Sequence, residues 1–140
     1  MADTIHVDIV SAEGEMFSGE ATMVIVPGTL GDLGIAPRHA PLLTTIKAGE
    51  VRVQTEGEPE QSFYVGGGAL EVQPHLVTVL ADTAARAKDL DEAQAISARQ
   101  AAEEAVRNST DKLQLAEAQA QMARAAAQLK LIQRLRKKTG

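Results

Sequence analysis

The first 84 residues alternate between apolar and polar positions in short runs. Three runs place apolar residues at every second position: Ile5, Val7 and Ile9; Val51 and Val53; Val77, Val79 and Ala81. A period of two puts these side chains on one face of a β-strand. Glycine and proline interrupt the pattern at residues 13–14, 28–34, 56–59 and 73–75, which predicts turns there. Several short strands at this spacing predict an antiparallel β-sandwich.

The pattern changes at about Ala84. The residues that follow are rich in alanine, poor in β-branched side chains and free of proline, which is a helix-forming composition. Residues 89–92 (DLDE) resemble a capping box and predict a first helix, starting at Asp89 and ending near Arg107. Residues 108–111 (NSTD) predict a turn and a new N-cap, followed by a second helix to about Lys137.

The two predicted helices form an antiparallel hairpin with little apolar bulk between them. Apolar residues of the second helix recur at roughly helical spacing: Leu115, Met122, Ala126, Leu129 and Ile132. Alanines let the helices approach closely but bury little area, so the hairpin alone is marginally stable and could detach. The predicted fold is therefore a β + α chain, with a β-sandwich docking domain at 1–84, a linker at 85–88 and a regulatory helical hairpin at 89–140.

Composition narrows the class of function. The chain has no cysteine, which excludes disulfides, thiolate metal sites and cysteine nucleophiles and suits a reducing compartment. Its aromatic residues are limited to Phe17, Phe63 and Tyr64, so single-stranded nucleic acid is not an expected partner. No stretch of the sequence resembles a signal peptide or a membrane-spanning segment. We therefore expect any membrane association to occur only through a larger complex.

Charge is distributed unevenly between the two halves. Residues 1–84 carry 12 carboxylates and three basic side chains, whereas residues 85–140 carry seven carboxylates and 11 basic side chains. Five cations fall within the last eleven residues: Lys130, Arg134, Arg136, Lys137 and Lys138. This basic tip is either a solvated helix end that suits the helix dipole or a surface for an acidic partner.

The sequence offers little catalytic chemistry. Gly28, Gly31 and Gly34 are spaced three apart, which matches no nucleotide-binding loop. The three consecutive glycines at 66–68 lie inside a strand pattern and predict a bulge or a close backbone approach. The histidines, at positions 6, 39 and 75, lack metal-pair spacing, and no serine has a histidine partner that a motif would reveal. No metal site is expected.

Residues 31–43 (GDLGIAPRHAPLL) predict a stiff, extended loop. Pro37 and Pro41 fix their own φ and push the preceding residues towards extended conformations, while Gly31 and Gly34 permit unusual ones. Four apolar residues are expected to pin the loop to the core: Leu33, Ile35, Leu42 and Leu43. A stiff loop loses little entropy on binding, so it favours recognition of a protein surface.

The sequence resembles the epsilon subunit of bacterial F-type ATP synthase over nearly its whole length. The resemblance rests on three stretches: VDIVSAEGEMFSGEA, GDLGIAPRHAPLLTTIKAGEVRV and YVGGGALEVQPHLVTVLADTAARAKDLDEAQA. It implies a noncatalytic rotor subunit that docks against the gamma subunit and the loops of the c-ring. Asp32 falls at the family's ring-facing acidic position, with His39 in the same region. The implied docking loop comprises Gly31, Leu33, Gly34, Ile35, Pro37, Arg38, Pro41 and Leu42.

The resemblance also implies a regulatory role for the hairpin. In the family it extends along gamma into the catalytic alpha/beta head and blocks ATP hydrolysis. The inhibitory cations implied here are Arg124, Lys130, Arg134, Arg136, Lys137 and Lys138. Complexes of this family place such a subunit at the cytoplasmic face of the bacterial plasma (inner) membrane, as a peripheral component.

Some family members bind ATP on the folded hairpin through an I/L-D-x-x-R-A motif. Here the motif reads Leu90 to Ala95 (LDEAQA), so Gln94 replaces the arginine that would meet phosphate. Arg124 keeps one family arginine, but Gln128 replaces the next. With Asp91 as the remaining motif residue, ATP is at most a weak regulatory ligand, and no other cofactor is expected.

Two other classes of function stay open from the residues alone. One is a free-standing β-domain that binds a small ligand and is capped by the helices. The other is an enzyme that uses Asp32, Arg38 and His39, for which the sequence supplies no further catalytic partner.

Overall fold

A computed structural model describes residues 3–139 and divides the chain after Arg86 into two compact units. The first unit is built of eight strands. They are β1 (Ile5–Ser11), β2 (Gly14–Ala21), β3 (Met23–Gly28), β4 (Gly31–Ile35), β5 (Leu42–Gln54), β6 (Gln61–Gln73), β7 (Leu76–Ala81) and β8 (Ala84–Arg86). The second unit contains a 3-10 helix (Ala87–Asp89) and two α-helices, α1 (Glu92–Arg107) and α2 (Lys112–Thr139).

The strands hydrogen-bond in the order β2-β1-β7-β6-β5-β3-β4, with β8 pairing to β6. All pairs are antiparallel except β1 and β7, which are parallel and place Val7 opposite Val77. The predicted antiparallel pairing is therefore confirmed at every described pair except this one. Alternation specifies which face of a strand is buried but not the direction of its neighbour.

The core is aliphatic and follows the predicted alternation. All eight apolar residues of the three alternating runs are buried, with exposed fractions of 0–7%. Phe63 supplies the largest fully buried side chain, and its ring centroid lies 5.6 Å from that of Phe17. A period of two thus identified the inward face of each strand.

The glycines at 66–68 let the long strand β6 change which parity of residues faces the core. Phe63 and Val65 are buried before them, whereas Leu70 and Val72 are buried after them. A Cβ added to Gly68 would lie 2.0 Å from the Leu80 carbonyl oxygen, and its φ is +142°. The predicted close backbone approach is confirmed.

The boundary between the units differs from the predicted linker at 85–88. Residues 84–86 form β8, which pairs Phe63 with Arg86 and Val65 with Ala84, and residues 87–89 form the 3-10 helix. The Gly66 amide also donates to the Thr83 carbonyl at 2.8 Å. Alanine and arginine carry no strand signal, so only the open edge of β6 explains this pairing.

Both helices begin at aspartate caps. Asp91, rather than the predicted Asp89, is the N-cap of α1, and its carboxylate accepts from the amides of Ala93 and Gln94 at 2.9 and 3.3 Å. Asp111 caps α2 as predicted by accepting from the Gln114 amide at 2.8 Å. The predicted end of α1 at Arg107 is also confirmed.

The hairpin interior is lined mainly by alanine. Six described residues of the two helices are buried, and four of them are alanines: Ala95, Ala102, Ala118, Ala125, Leu129 and Leu131. Ala126, predicted to face inwards, is exposed, because the inward face of α2 passes through Ala125 one residue earlier. Neither described helix is long and apolar enough to cross a membrane.

Candidate functional site

The docking loop begins at the β3–β4 hairpin. Gly28 pairs with Gly31, so Thr29 and Leu30 form the turn, and Gly31 has a φ of +138° that favours glycine. Leu30 is fully exposed at the tip, an unusual position for a large apolar side chain. Residues 31–35 form a strand, so the predicted extended conformation is confirmed there, whereas residues 37–38 form a turn.

Asp32, Arg38 and His39 do not share a common partner. The Asp32 carboxylate lies 3.8 Å from the Arg52 guanidinium, whereas the Arg38 guanidinium lies 2.7 Å from the Asp3 carboxylate. His39 Nδ1 lies 2.7 Å from its neighbour's carbonyl oxygen, which can only accept, so that nitrogen carries the proton. These contacts give no support to a catalytic cluster.

Arg38 is held by the backbone as well as by its ion pair. Its φ is +63°, which is rare outside glycine, and its amide donates to the Pro74 carbonyl at 2.9 Å. Pro37 and Pro41 flank this turn, as the sequence requires. The loop is therefore anchored to the β6–β7 turn.

An open groove of about 250 Å³ lies beside the loop. Its lining consists of Gly28, Thr29, Leu30, Gly31, Asp32, Leu33, Leu42 and Thr44. Sites for small molecules usually occupy about 300–1,000 Å³, so this groove gives little support to a small-ligand domain. Among the described residues, no group of three or more His, Asp or Glu side chains could hold a metal ion.

Leu43 does not pin the loop to the core, contrary to the prediction. Its exposed fraction is 76%, whereas Leu42 and Leu33 pack against the core and Ile35 is buried. Consecutive residues of a strand point to opposite faces, so Leu42 and Leu43 cannot both face inwards. Leu43 therefore belongs to the outer face of the sheet.

The outer face carries an apolar row that crosses adjacent strands. Leu80 pairs with Val10 on one side and with Ala69 on the other. Leu80 is 51% exposed, and Ala69 and Val10 are partly exposed. Leu43 lies on the same face, two residues before Thr45, which pairs with Ala69. We call Val10, Leu43, Ala69 and Leu80 the outer apolar row.

A polar cluster that the sequence analysis missed lies on the β1–β2 hairpin. His6 Nδ1 lies 2.7 Å from the Glu20 carboxylate, and Nε2 lies 2.9 Å from Asp8 and 3.1 Å from Ser18 Oγ. The register places His6 opposite Glu20 and Asp8 opposite Ser18. Polar residues at 6 and 8 and at 18 and 20, across a glycine turn, were the available signal.

We call the hydrogen-bonded side chains of His6, Asp8, Ser18 and Glu20 the His6 clamp. They are not arranged as a catalytic triad. The hydrogen bond to Glu20 is the main cause that raises the pKa of His6 above 6.5, and the contacts with Asp8 add to it. Ser18 donates its hydroxyl proton to Asp8 at 2.7 Å. The Ser18 proton is therefore directed to a carboxylate and not to the imidazole, so the geometry does not activate the serine as a nucleophile.

We expect the clamp to make the stability of the β-domain depend on pH. The stabilising effect of His6 is full below pH 6.5 and is lost as pH rises through the raised value. Bonds from His6 and Thr4 lower the pKa of Glu20, whose effect is full above pH 4.5 and is lost as pH falls through the lowered value. The clamp should therefore stabilise most between pH 4.5 and 6.5.

The measurement is denaturant unfolding of His6→Gln and of the unsubstituted chain at about pH 5.5 and about pH 8.5. The variant should lose more stability at the lower pH, although the difference is small because the clamp is largely exposed. His75→Gln, at an exposed turn position, is the matched control. An equal loss at both pH values would contradict a charged clamp.

The candidate residues on the hairpin have mixed surroundings. Lys130, Lys137 and Lys138 are exposed, and Arg124 and Arg134 are partly buried. Arg136, in the last turn of α2, lies 2.5 Å from the Glu92 carboxylate in the first turn of α1. Asp91 is occupied as the α1 N-cap, Gln94 is exposed and Gln128 is partly buried.

Comparison with known proteins matches both units to domains of the same protein family. Residues 4–87 match the beta-sandwich domain of the ATP synthase delta/epsilon chain, and residues 88–133 match its long alpha-helix domain. The chain is 60% identical over 140 residues to the ATP synthase epsilon chain of Nitrosococcus oceani, covering 100% of both. It is 58% identical over 137 residues to ATP synthase epsilon chain 1 of Methylococcus capsulatus, covering 98% of both.

Two solved structures share the fold at low identity. One is a chain of the Euglena gracilis mitochondrial ATP synthase, at a TM-score of 0.78 and 14% identity, covering 89% of this chain and 78% of the other. The second comes from the central stalk and c-ring of the Tetrahymena thermophila mitochondrial ATP synthase, at a TM-score of 0.68 and 12% identity, covering 94% and 98%.

Proposed function

The chain belongs to the delta/epsilon family of ATP synthase subunits, and we propose that it is the noncatalytic epsilon subunit of the rotor. In this role it links gamma to the c-ring in the central stalk and couples proton translocation to ATP synthesis. The full-length match to epsilon chains supports the role. That match favours it over a free-standing ligand-binding domain.

The outer apolar row is the observation that carries the docking role. Val10, Ala69 and Leu80 are adjacent across three strands, and Leu43 extends the row towards the docking loop. Such a row on a small soluble domain marks a protein contact. We propose that it packs against gamma, with Asp32, His39 and Leu30 directed to the polar loops of the c-ring.

Leu80→Glu tests docking directly. A charge in the centre of the outer apolar row would have to be desolvated on binding, so we expect the affinity for gamma to fall by at least about tenfold. Binding of the full chain to purified gamma would be measured. The matched control is Leu113→Glu, because Leu113 is an exposed leucine of the second unit. If Leu80→Glu binds as tightly as the unsubstituted chain, gamma does not use this surface.

The hairpin is proposed to inhibit ATP hydrolysis by extending into the catalytic alpha/beta head. Its alanine-lined interior buries few large side chains, so its compact form is weakly held. The six basic residues from Arg124 to Lys138 would then meet acidic surfaces of the head. Single exposed ion pairs contribute about 0–1 kcal/mol, so several must act together.

ATP is proposed to be a weak regulatory ligand at most. Asp91 already accepts two amide hydrogen bonds as the cap of α1, and both Gln94 and Gln128 lack the positive charge that binds phosphate. A dissociation constant well below millimolar for ATP and the isolated chain would contradict this.

The proposed location is the cytoplasmic face of the bacterial plasma membrane, reached through the complex. The chain is a subunit of a membrane-associated complex by family, and its described helices do not suit membrane insertion.

A further inference from the structure

We propose that Glu92 and Arg136 form a latch that holds the helical hairpin in its compact form. The latch adds a regulatory contact to the proposed function of the hairpin. Its effect on inhibition rests on that proposed function. Its two residues are far apart in the sequence of the second unit: Glu92 is the first residue of α1, and Arg136 lies in the last turn of α2. Their charged groups meet at 2.5 Å, as a hydrogen bond and an ion pair.

The latch joins the two helices at the open end of the hairpin, where an ion pair has the largest effect on their separation. The two residues are 44 positions apart in sequence, at the end remaining open after the 108–111 turn joins the helices. Opening must therefore break this contact first or together with the interior. The helix dipoles also stabilise the two charges in these positions, because a negative charge is favoured in the first turn of α1 and a positive charge in the last turn of α2.

Because the hairpin interior buries little apolar area, polar contacts such as this one contribute a large share of the free-energy difference between the compact and open forms. Among the described residues of the two helices, four of the six that are buried are alanines, which bury little area, and Leu129 and Leu131 are the two large members. When the compact and open forms are close in free energy, an exposed ion pair shifts their ratio about two- to fivefold. A pair of this strength would be negligible in a well-packed core but is significant here.

The latch would give Arg136 two competing partners. In the compact hairpin its guanidinium pairs with Glu92, so its charge is partly neutralised. In the extended form proposed above, the same guanidinium would be presented to an acidic surface of the catalytic head. Glu92 would therefore act against inhibition by retaining the arginine that inhibition requires.

The first test is amide hydrogen exchange across α1 in the full chain, for Glu92→Gln, Arg136→Gln and the double variant. Each single substitution should raise exchange about two- to fivefold. The double variant should exchange about as fast as either single variant, because both remove the same contact. Glu104→Gln, an exposed glutamate of the same helix, is the matched control. Unchanged exchange, or a double variant showing the product of the two single effects, would overturn the latch.

The second readout is inhibition of ATPase that lacks its own epsilon subunit. Glu92→Gln leaves every tip cation in place and removes the Glu92 carboxylate from Arg136, so we expect it to inhibit more strongly than the unsubstituted chain. A variant with faster exchange but unchanged inhibition supports the latch and contradicts the proposed extended state. A variant with neither change contradicts the latch and leaves the proposed function standing.

Discussion

Gly68→Ala is expected to destabilise the β-domain by about 3–5 kcal/mol, which combines backbone strain with overpacking. The added Cβ would lie 2.0 Å from the Leu80 carbonyl oxygen and 3.0 Å from the Ala81 Cα, all backbone atoms that cannot rotate away. The backbone φ of +142° is also unfavourable for any L side chain. Relief would require β6 and β7 to separate where Gly68 pairs with Ala81.

The measurement is denaturant unfolding followed by tyrosine fluorescence. The chain has one tyrosine and no tryptophan, so the buried Tyr64 reports on the β-domain alone. Gly34→Ala is the matched control, because its added Cβ would make only an ordinary 3.8 Å contact with the Met23 sulfur. That control should change stability by less than about 1 kcal/mol. Equal stability for both variants would show that the β6–β7 contact is not tight.

Removing the second unit is expected to abolish inhibition of ATP hydrolysis while preserving docking. Residues 1–86 contain all eight of the described strands and the outer apolar row, so the shortened chain should bind gamma with the affinity of the full chain. It lacks both helices and the six basic residues that we propose to take part in inhibition. The full chain should therefore suppress hydrolysis by ATPase lacking its own epsilon subunit, and residues 1–86 should leave it unchanged.

Competition provides the control for this comparison. Excess residues 1–86, added before the full chain, should occupy the docking surface and prevent inhibition. If the shortened chain binds and also inhibits, the hairpin is not the inhibitory element. If both chains bind and neither inhibits, the protein serves docking and coupling alone.

Much of the fold could be predicted from local pattern. Ile5, Val7 and Ile9 were assigned to the core by alternation, and all three are fully buried. Asp111 was assigned as a cap from the polar run before α2. The N-cap could not be assigned to Asp91 over Asp89, because both aspartates offer the same local capping signal. Strand β8 could not be predicted, because its residues carry no strand signal and its pairing depends on the edge of β6.

The candidate site was predicted less completely. The glycines and prolines predict the extended conformation of residues 31–35 but not the turn at 37–38. The inward prediction for Leu43 is wrong because a strand begins at Leu42, so these two leucines face opposite sides. The outer apolar row joins residues from four strands, and the His6 clamp joins β1 with β2. Side chains separated in sequence become neighbours only through strand register.

The sequence by itself determined what each segment can form: strands where polarity alternates, helices where alanine dominates, and a non-helical loop where two glycines precede two prolines. These are local properties, since a side-chain period and a backbone preference act within a few residues. Only the tertiary structure decided the parallel pairing of β1 with β7, the outer apolar row and the contact between Glu92 and Arg136. These depend on which distant segments meet, and the free energy of such meetings comes from packing and register across the whole fold.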